Sequence, residues 1–454
     1  MKLTFFGGAE TVTGSKTLLE VGYKKILIDC GIFQGLKELR LKNWDTLPVD
    51  LNNLDIVLLT HAHLDHSGYL PLLVKNGYKG KIYCTPATRD LTEIILLDSG
   101  KIQEEDTERA NKYLYTKHEP AKPLYGVEDA KVAISRLVTF EFNKWHTIDE
   151  NIAFKFINSG HILGSAFVIL KVYEKIIVFS GDIGRKNPII LHPFEYIDKA
   201  DYVIIESTYG NRNHKNTSII DALLNCINHT YSKGGILIIP TFSVERAQEI
   251  IYLLSVLKRE NNLPKIPIFL DSPMGVDATE IYFSHPKNHK LTPEDVKSMS
   301  STVQLISDVE ASKAVVHDKN PKIVLAGSGM ISGGRVLHYL ENLIGNKKNS
   351  ILIVGFQAEG TRGRALLAGD SEIKFFGKYH KINAEIFKIN EFSGHADQNE
   401  LLDWLQHFKT PPTLTFINHG EPHQSQALKT KIKTTLKLNC TVAKMNKEYF
   451  LDQY

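Results

Sequence analysis

The chain has 454 residues, with 54 Lys+Arg against 51 Asp+Glu and a formal net charge of +3. That length is too great for one ordinary core and predicts two or three domains, while 43% hydrophobic and 23% charged residues is normal for a soluble globular protein. The near-neutral balance neither argues for nor excludes a nucleic-acid partner, because a local basic groove can sit on a neutral protein. Cys30, Cys84, Cys226 and Cys440 form no Cys-x-x-Cys pair, which excludes a zinc ribbon and predicts reduced thiols. No apolar run nears the roughly 18 residues of a membrane helix, and MKLTFFGGAE lacks a signal-peptide core; a cytoplasmic chain without a membrane partner is expected.

In chain order, Lys2–Phe6 and Thr17–Val21 read as hairpin strands joined by the Gly-rich turn GGAETVTGS, and Lys25–Asp29 as a third strand ending on Asp29-Cys30-Gly31. Leu54–Thr60 is a short apolar run, read as a buried strand, and it delivers His61-Ala62-His63-Leu64-Asp65-His66 into a loop. A helix is expected over Tyr69–Lys75, a strand over Lys81–Cys84, and a helical pattern with a solvated charged face over 88–118. Ile152–Phe156, Phe167–Val172, Lys175–Phe179 and Tyr202–Glu206 read as strands, with Ser159-Gly160-His161 and Ser180-Gly181-Asp182 in the turns between them. After Tyr209-Gly210 the pattern changes. Ile236–Ile239, Ile266–Leu270, Lys322–Ala326 and Ser350–Phe356 read as strands alternating with helices such as Val244–Lys258 and Gly334–Leu343, which predicts a parallel α/β sheet. The expected organisation is a first part, 1–208, an inserted domain, 209–385, and a returning part, 386–454. The last holds Phe392-Ser393-Gly394-His395-Ala396-Asp397 before a helix, and strand Leu414–Ile417 running into Asn418-His419-Gly420-Glu421.

Single histidines are weak evidence of a site; the set is stronger. His61, His63, Asp65, His66, His161, Asp182 and His419 all fall at the ends of expected strands, and the strand ends along one edge of a layered fold meet at one rim. Imidazole with carboxylate suits zinc. These N/O donors are enough for two zinc ions. The simplest division gives His61, His63 and His161 to one ion and Asp65, His66 and His419 to the other, with Asp182 bridging. Two metals about 3.5–4 Å apart activate a shared water and clamp a phosphate for in-line displacement, so phosphodiester hydrolysis is expected. The ligand set alone would also serve carboxyl ester, thioester or lactam hydrolysis.

These residues resemble a known family. Asp29, the His61–His66 run, His161 and Asp182 stand in the order of the metallo-β-lactamase-fold motifs. The block after them resembles the β-CASP nucleases, with Glu206 in IIESTYGNR as motif A, His395 in SGHAD as motif B and His419 in INHGE as motif C. PTFSVERAQEI, AGSGMISGGR and GFQAEGTRGR between them resemble β-CASP segments, so the likeness covers nearly the whole chain. Its relatives are the bacterial and archaeal β-CASP ribonucleases and the endonuclease subunit of the cleavage and polyadenylation specificity factor. The resemblance implies an α/β fold, a metallo-β-lactamase αβ/βα sandwich with an inserted β-CASP α/β domain and the active site in a groove between them. A long C-terminal domain of the RNase J type and N-terminal KH domains are not expected. Histidine at motif C, where the DNA-directed branch typically has valine, implies RNA. Asp29 would steady the metal loop without binding metal. Glu206 would orient His395, the general acid for the leaving oxygen, beside the catalytic carboxylates Asp65 and Asp182.

Gly327–Arg335 lies between an expected strand and helix. Backbone N–H groups around Ser328, Gly329, Ser332, Gly333 and Gly334 are candidates for holding an RNA phosphate, with Arg335 adding a bidentate contact. Arg246, Arg362 and Arg364 are further candidate backbone contacts, against the plainer reading of solvated surface arginine. The lysines of KTKIKTTLK (429–437) read as a solvated helix face. The expected activity is a zinc-dependent ribonuclease that hydrolyses single-stranded RNA to 5′-phosphate and 3′-hydroxyl ends. The alternatives are a small ester or thioester hydrolase of the same fold, or an inactive scaffold subunit of an RNA-processing complex. A homodimer is an open assembly state at this point.

Overall fold

The computed structural model describes residues 1–113, 118–214, 218–355, 357–389 and 392–453. Two compact units emerge, one of Met1–Pro188, Pro193–Asn213 and His395–Tyr454, the other of Ile189–His192 and His214–Gly394.

The first unit rests on two seven-stranded sheets. In one, the spatial order is Glu448–Phe450, Lys2–Gly7, Lys16–Val21, Lys24–Ile28, Ile56–Leu58, Lys81–Cys84 and Leu137–Thr139. In the other it is Cys440–Val442, Leu414–Ile417, Tyr202–Ile205, Lys175–Phe179, Ala166–Val172, Ile152–Asn158 and His146–Asp149. Alternating side chains of the two sheets meet in a dry core, Phe5, Leu19, Ile28 and Leu58 from one against Phe154, Val168, Phe179 and Phe416 from the other. The opposite face of the first sheet is covered by helices Leu70–Lys75, Pro86–Tyr113 and Val127–Ile134, through Leu70, Leu73, Leu96 and Ala130. The opposite face of the second is covered by Gln398–Gln406 and Pro422–Lys431, through Leu401, Trp404, Leu405 and Leu428. This is the αβ/βα sandwich.

Strands Lys24–Ile28, Ile56–Leu58 and Lys81–Cys84 run parallel, as do Lys175–Phe179, Tyr202–Ile205 and Leu414–Ile417. Asp29, His61, Asp182, Glu206 and His419 each follow the C-terminal end of one of these strands within three residues, the position at which open α/β sheets present their functional groups. The chain's two extremities also meet: Glu448–Phe450 pairs antiparallel with Lys2–Gly7, Leu451 N donates to the Met1 carbonyl at 2.9 Å, and the Met1 ammonium pairs with Asp452.

The second unit carries a six-stranded, wholly parallel sheet in the order Gln304–Ile306, Ile268–Asp271, Ile323–Ala326, Leu237–Pro240, Ser350–Val354 and Glu385–Ile389. Helices Ile219–Ser232, Arg246–Arg259 and Pro293–Thr302 close one face through Leu223, Ile250, Leu254 and Met299. Val336–Leu343 and Arg362–Ala368 close the other through Val336, Leu340 and Leu366. A separate hairpin, Glu372–Phe375 with Lys378–Lys381, lays Ile373 and Phe375 on this second core.

The expected boundary after residue 385 is displaced. Glu385–Ile389 pairs along its length with Ser350–Val354, so it belongs to the second unit, which runs to Gly394. The expected strand Ser350–Phe356 ends at Val354, and Phe356 lies outside the described residues. The long helix spans Pro86–Tyr113, and 114–117 of the expected 88–118 likewise lie outside them.

One charged side chain sits inside the first unit. Lys16 is 3% exposed; its Nζ lies 4.7 Å from the ring centres of both Phe33 and Tyr69 and donates to the Gly14 carbonyl at 3.3 Å. Burial pulls its pKa down from 10.5 to about 8. The penalty for holding the ammonium charged is fully present below pH 8 and fades as pH rises toward 10.5, where the unfolded chain also sheds the proton. Lys16→Met is therefore expected to stabilise the fold at pH 7 by about 1–3 kcal/mol, the lost cation–π contacts offsetting part of the gain. Urea unfolding at pH 7 and again above pH 9 checks this; a gain that does not shrink at the higher pH would show that the charge is not the cause.

Candidate metal centre

The His61–His66 loop is clamped by backbone before any side chain is considered. Cys30 N donates to His66 O at 2.7 Å, Ser15 N to Asp65 O at 2.8 Å and Ile32 N to Leu64 O at 2.9 Å. A Cβ on Gly31 would stand 1.7 Å from the Asp65 carbonyl oxygen, so only glycine admits the loop this close. Asp29, held at φ +60°, is the hub. Its Oδ1 accepts from Thr60 N at 2.8 Å, and its Oδ2 accepts from Thr60 Oγ1 at 2.9 Å and from His66 Nδ1 at 2.7 Å. With its own proton directed to Asp29, Thr60 Oγ1 accepts from His61 Nδ1 at 3.0 Å. One carboxylate thus fixes the tautomers of two histidines and turns both Nε2 atoms inward. It touches no metal-binding position itself. Thr60 and Ser165, whose Oγ accepts from His161 N at 3.0 Å, are positioning groups that the sequence motifs do not single out. Both are adjacent to the motifs, in LLTHAH and HILGS, but a hydroxyl residue there carries no signal of its own.

Around this scaffold the donors gather in two sets. His61, His63, His161 and Asp182 each offer an atom within 4.8 Å of the others, and so do Asp65, His66 and His419. His161 Nε2 lies 3.2 Å from His63 Nδ1 and 3.4 Å from Asp182 Oδ2, which is 3.5 Å from His61 Nε2. In the second set His66 Nε2 is 3.2 Å from His419 Nε2 and 3.3 Å from Asp182 Oδ1, and His419 Nε2 is 3.5 Å from Asp65 Oδ2. Asp182 therefore turns one oxygen to each set, as a bridge must. Metal–nitrogen distances of about 2.0–2.1 Å in a tetrahedral site place ligand atoms about 3.3–3.4 Å apart, which is the spacing found. Within this packed, almost fully buried cluster His61 Nε2 and Asp182 Oδ1 have no hydrogen-bond partner, a costly state for polar atoms that a cation relieves. The residues present fit divalent metal.

Their electrostatics agree. Burial, and next the charge of His66, holds His61 well below the usual imidazole range, and burial lowers His63 to about 4; both are neutral donors at pH 7. Burial also opposes charge on His66, but Asp182 and Asp29 outweigh it and hold it well above the usual value, so a cation entering there displaces a proton.

Beside these sets, Glu206 is buried at 1% exposure and accepts from Ile183 N at 2.6 Å. Both its oxygens lie 3.2 Å from His395 Nδ1. His395 Nδ1 is 3.9 Å from Asp182 Oδ2, and the His395 ring centre is 4.5 Å from that of His161. Ala396 N donates to Ile183 O at 2.8 Å, and Asp397 caps helix Gln398–Gln406 in a capping box with Glu400, which also accepts from Arg185 Nε at 3.1 Å. Burial works against charge on His395, but Glu206 and Asp182 raise its pKa to about 9, so its imidazolium persists at neutral pH. The seven expected ligands, Glu206 and His395 thus converge within the first unit.

The candidate RNA-contact residues lie in the second unit, and most of their polar groups are already engaged. Arg335 does not reach outward as expected: it pairs with the fully buried Asp271 and donates to the carbonyls of Ile306 at 3.1 Å and Ser307 at 2.6 Å. Arg246, 7% exposed, pairs with Glu249. Arg362 donates to the carbonyls of Lys374, Ile331 and Ser332. Ser328 Oγ accepts from Ser332 N at 2.9 Å and Gly333 N at 3.3 Å, folding the Gly-rich loop on itself. Gly329 packs against Phe242, and Gly334, at φ +76°, lies against the Gly327 carbonyl. Of the four candidate arginines only Arg364 is exposed.

Asp29→Ala is expected to weaken metal binding about 10–100-fold, since His61 and His66 lose their fixed orientation. A chelator-competition titration, with circular dichroism to confirm that the fold persists, measures it; unchanged affinity would show that Asp29 does not orient the ligands.

Among the described residues no helix is long and apolar enough to cross a membrane. Residues 18–207 match a metallo-beta-lactamase superfamily domain, 247–366 a Beta-Casp domain and 379–443 a Zn-dependent metallo-hydrolase RNA specificity domain. The chain is 36% identical over 438 residues to Ribonuclease TTHA0252 of Thermus thermophilus, covering 94% of this chain and 95% of that protein. It is 34% identical over 443 residues to an RNase J-like protein of Methanocaldococcus jannaschii, covering 96% of each. To the transcription termination factor FttA of Methanosarcina mazei it is 32% identical over 458 residues, covering 96% of this chain and 70% of that one. A crystal structure of a protein of unknown function from Enterococcus faecalis shares the fold, with a TM-score of 0.52 at 12% identity over 99% of each chain. With the donor geometry above, these likenesses place the chain in the β-CASP family of metallo-β-lactamase-fold hydrolases.

Proposed function

We propose that the protein is a zinc-dependent ribonuclease that hydrolyses single-stranded RNA, leaving 5′-phosphate and 3′-hydroxyl ends. The observation that carries this reading is the division of Asp182, one oxygen to each of two histidine sets, with the Glu206–His395 pair directly beside them. Phosphodiester hydrolysis needs charge neutralisation, an activated water and a proton for the leaving oxygen. RNA as the substrate is supported by the ribonuclease names of the relatives and by histidine at position 419.

His61, His63 and His161 would hold one zinc ion, Asp65, His66 and His419 the other, with Asp182 shared. Two such ions, when bound, would supply a shared water of lowered pKa and positive charge to offset that of the phosphate. The chain's own residues do the rest. Glu206, fixed by the Ile183 and Thr208 amides, accepts a hydrogen bond from His395 Nδ1 and so favours the charged ring. His395 then gives its Nε2 proton to the leaving oxygen. Thr208 Oγ1, 3.3 Å from His419 Nδ1, steadies the last ligand, whose backbone sits at φ +46°. Asp29 and Thr60 hold the loop so that no donor must reorganise during turnover.

His395→Ala is expected to keep both metals and lose about 10²–10⁴-fold in turnover, whereas His419→Ala should lose one metal and most activity. Metal analysis beside single-turnover kinetics separates them, and full activity in the His395 variant would remove the general acid. The reading as a whole is tested by offering 5′-labelled single-stranded RNA and the matching DNA to a preparation of known metal content. RNA cut, DNA spared and about two zinc per chain are expected. Two metals without cleavage of RNA would turn the assignment toward a small ester substrate, and absence of metal would sink the catalytic model.

A further inference from the structure

The hairpin Glu372–Phe375 with Lys378–Lys381 has no place in the chemistry above, yet its composition is unusual for an outlying ribbon. Its inner face is anchored: Ile373 and Phe375 are 3% and 1% exposed, and His380 stacks on Phe375 at 4.0 Å with the rings 3° from parallel. On its outer face Lys374 stands opposite Tyr379, and Glu372 opposite Lys381. Tyr379 is 68% exposed, with the Lys374 ammonium 5.2 Å from its ring centre. Lys374 and Lys381 share this face with the single carboxylate of Glu372, while Lys378, opposite Phe375 in the register, is exposed beside the turn.

The tip adds an independent observation. Phe375 pairs with Lys378, so Phe376 and Gly377 form a two-residue turn, with φ +47° and +77°. Asn or Asp is the favoured residue at the first position, because a bulky side chain is disfavoured at positive φ. Phe376 occupies it, with its ring centre 5.1 Å from that of His338 and 5.7 Å from that of Phe375, and it remains 38% exposed. Packing thus covers this phenyl only in part. Exposed lysines guard many sheet edges against pairing, but that role needs no aromatic rings.

We propose that this face is a docking platform for a single-stranded RNA segment. Bases stack on Tyr379 and, at the turn, on the open side of Phe376, and phosphates lie along Lys374 and Lys381, with Lys378 beside the turn. Interleaved aromatic faces and cations are the recognition chemistry of single strands, in which every base offers a π-face and every linkage a negative charge. Ile373 and Phe375 anchor the platform to the core, and Arg362 ties it to the Gly-rich loop by donating to the Lys374 carbonyl at 2.8 Å and to those of Ile331 and Ser332 at 3.1 and 2.9 Å. The inference rests on the ribonuclease reading and adds to it a second contact, so that longer RNA is held better than short.

The test uses the full chain with zinc and oligouridylates of about 4 and about 16 nucleotides, the span of single-strand site sizes. Phe376→Asn/Tyr379→Thr removes both rings and leaves the turn with a residue it favours, so folding is not at risk. KM for the longer RNA is expected to rise at least tenfold, with kcat unchanged and no comparable rise for the shorter. Lys374→Gln/Lys378→Gln/Lys381→Gln is expected to lower the slope of log KM against log salt by about 2 for the longer RNA, at about 0.7 per phosphate. Cleavage of both RNAs with kinetics indifferent to these changes would overturn the platform, leave the ribonuclease reading intact, and give this face to a protein partner. An equal loss on both RNAs would also overturn it, since the defect would then lie at the reacting centre. A parent enzyme that cuts neither RNA would instead fail the ribonuclease reading itself.

Discussion

The structure turns on one buried carboxylate shared by two groups of histidines. Asp182 is 2% exposed, and burial alone would raise its pKa. The imidazoles of His419, His66, His61 and His395 reverse that and hold it well below the usual carboxylate range. A group so surrounded cannot be moved or replaced alone. Shortening it would leave each set without its common member, and neutralising it would leave several imidazoles facing one another at little more than 3 Å. The sandwich is arranged to make this concentration of polar groups tolerable, by bringing the C-terminal ends of parallel strands from both sheets to one rim and closing the space beneath them with Phe5, Phe154, Phe179 and Phe416.

Support then passes outward in layers of decreasing polarity. The donors are oriented by Asp29, Thr60, Thr208 and Ser165, and these are fixed by backbone contacts such as Cys30 N to His66 O. Glu206 plays for His395 the part that Asp29 plays for His66: each is a buried acceptor that leaves one imidazole nitrogen for function. The second unit repeats the theme without metal chemistry. There the buried Asp271 gathers Arg335, Tyr339 and Ser312 and so holds the base of the Gly-rich loop.

The residues that the fold gathers into two donor sets were legible in the sequence because each pairs a reactive side chain with the end of an apolar run, and both signals are local. Four of the six strands of the second unit's parallel sheet were legible for the same reason; its two edge strands, Gln304–Ile306 and Glu385–Ile389, were not. The edge strands of the first unit were not: Leu137–Thr139, His146–Asp149, Cys440–Val442 and Glu448–Phe450 have three or four residues each and owe their extended form to a neighbour far away in sequence. The arginines misled for a related reason. Arg246 and Arg335 lie in motifs that look made for phosphate, but whether a guanidinium faces solvent depends on Glu249 and Asp271, and the second of these is 64 residues away. Lys16 gave no signal at all, since nothing in TGSKTLL says that two aromatic rings will enclose it.

The pairing of the first strand with the last bears on the order of events during synthesis. The second unit is contiguous apart from residues 189–192, so its sheet is complete once residue 394 has emerged. The first unit is not. Its second donor set needs His419, its second sheet needs Leu414–Ile417 in its interior, and its first sheet is finished by Glu448–Phe450 against Lys2–Gly7. Domains generally fold as units while the chain is still growing, and this one cannot close until Glu448–Phe450 has been made. The donor set of Asp65, His66 and His419 therefore stays incomplete throughout synthesis of the second unit, and its first two members wait for the third until that unit has been made.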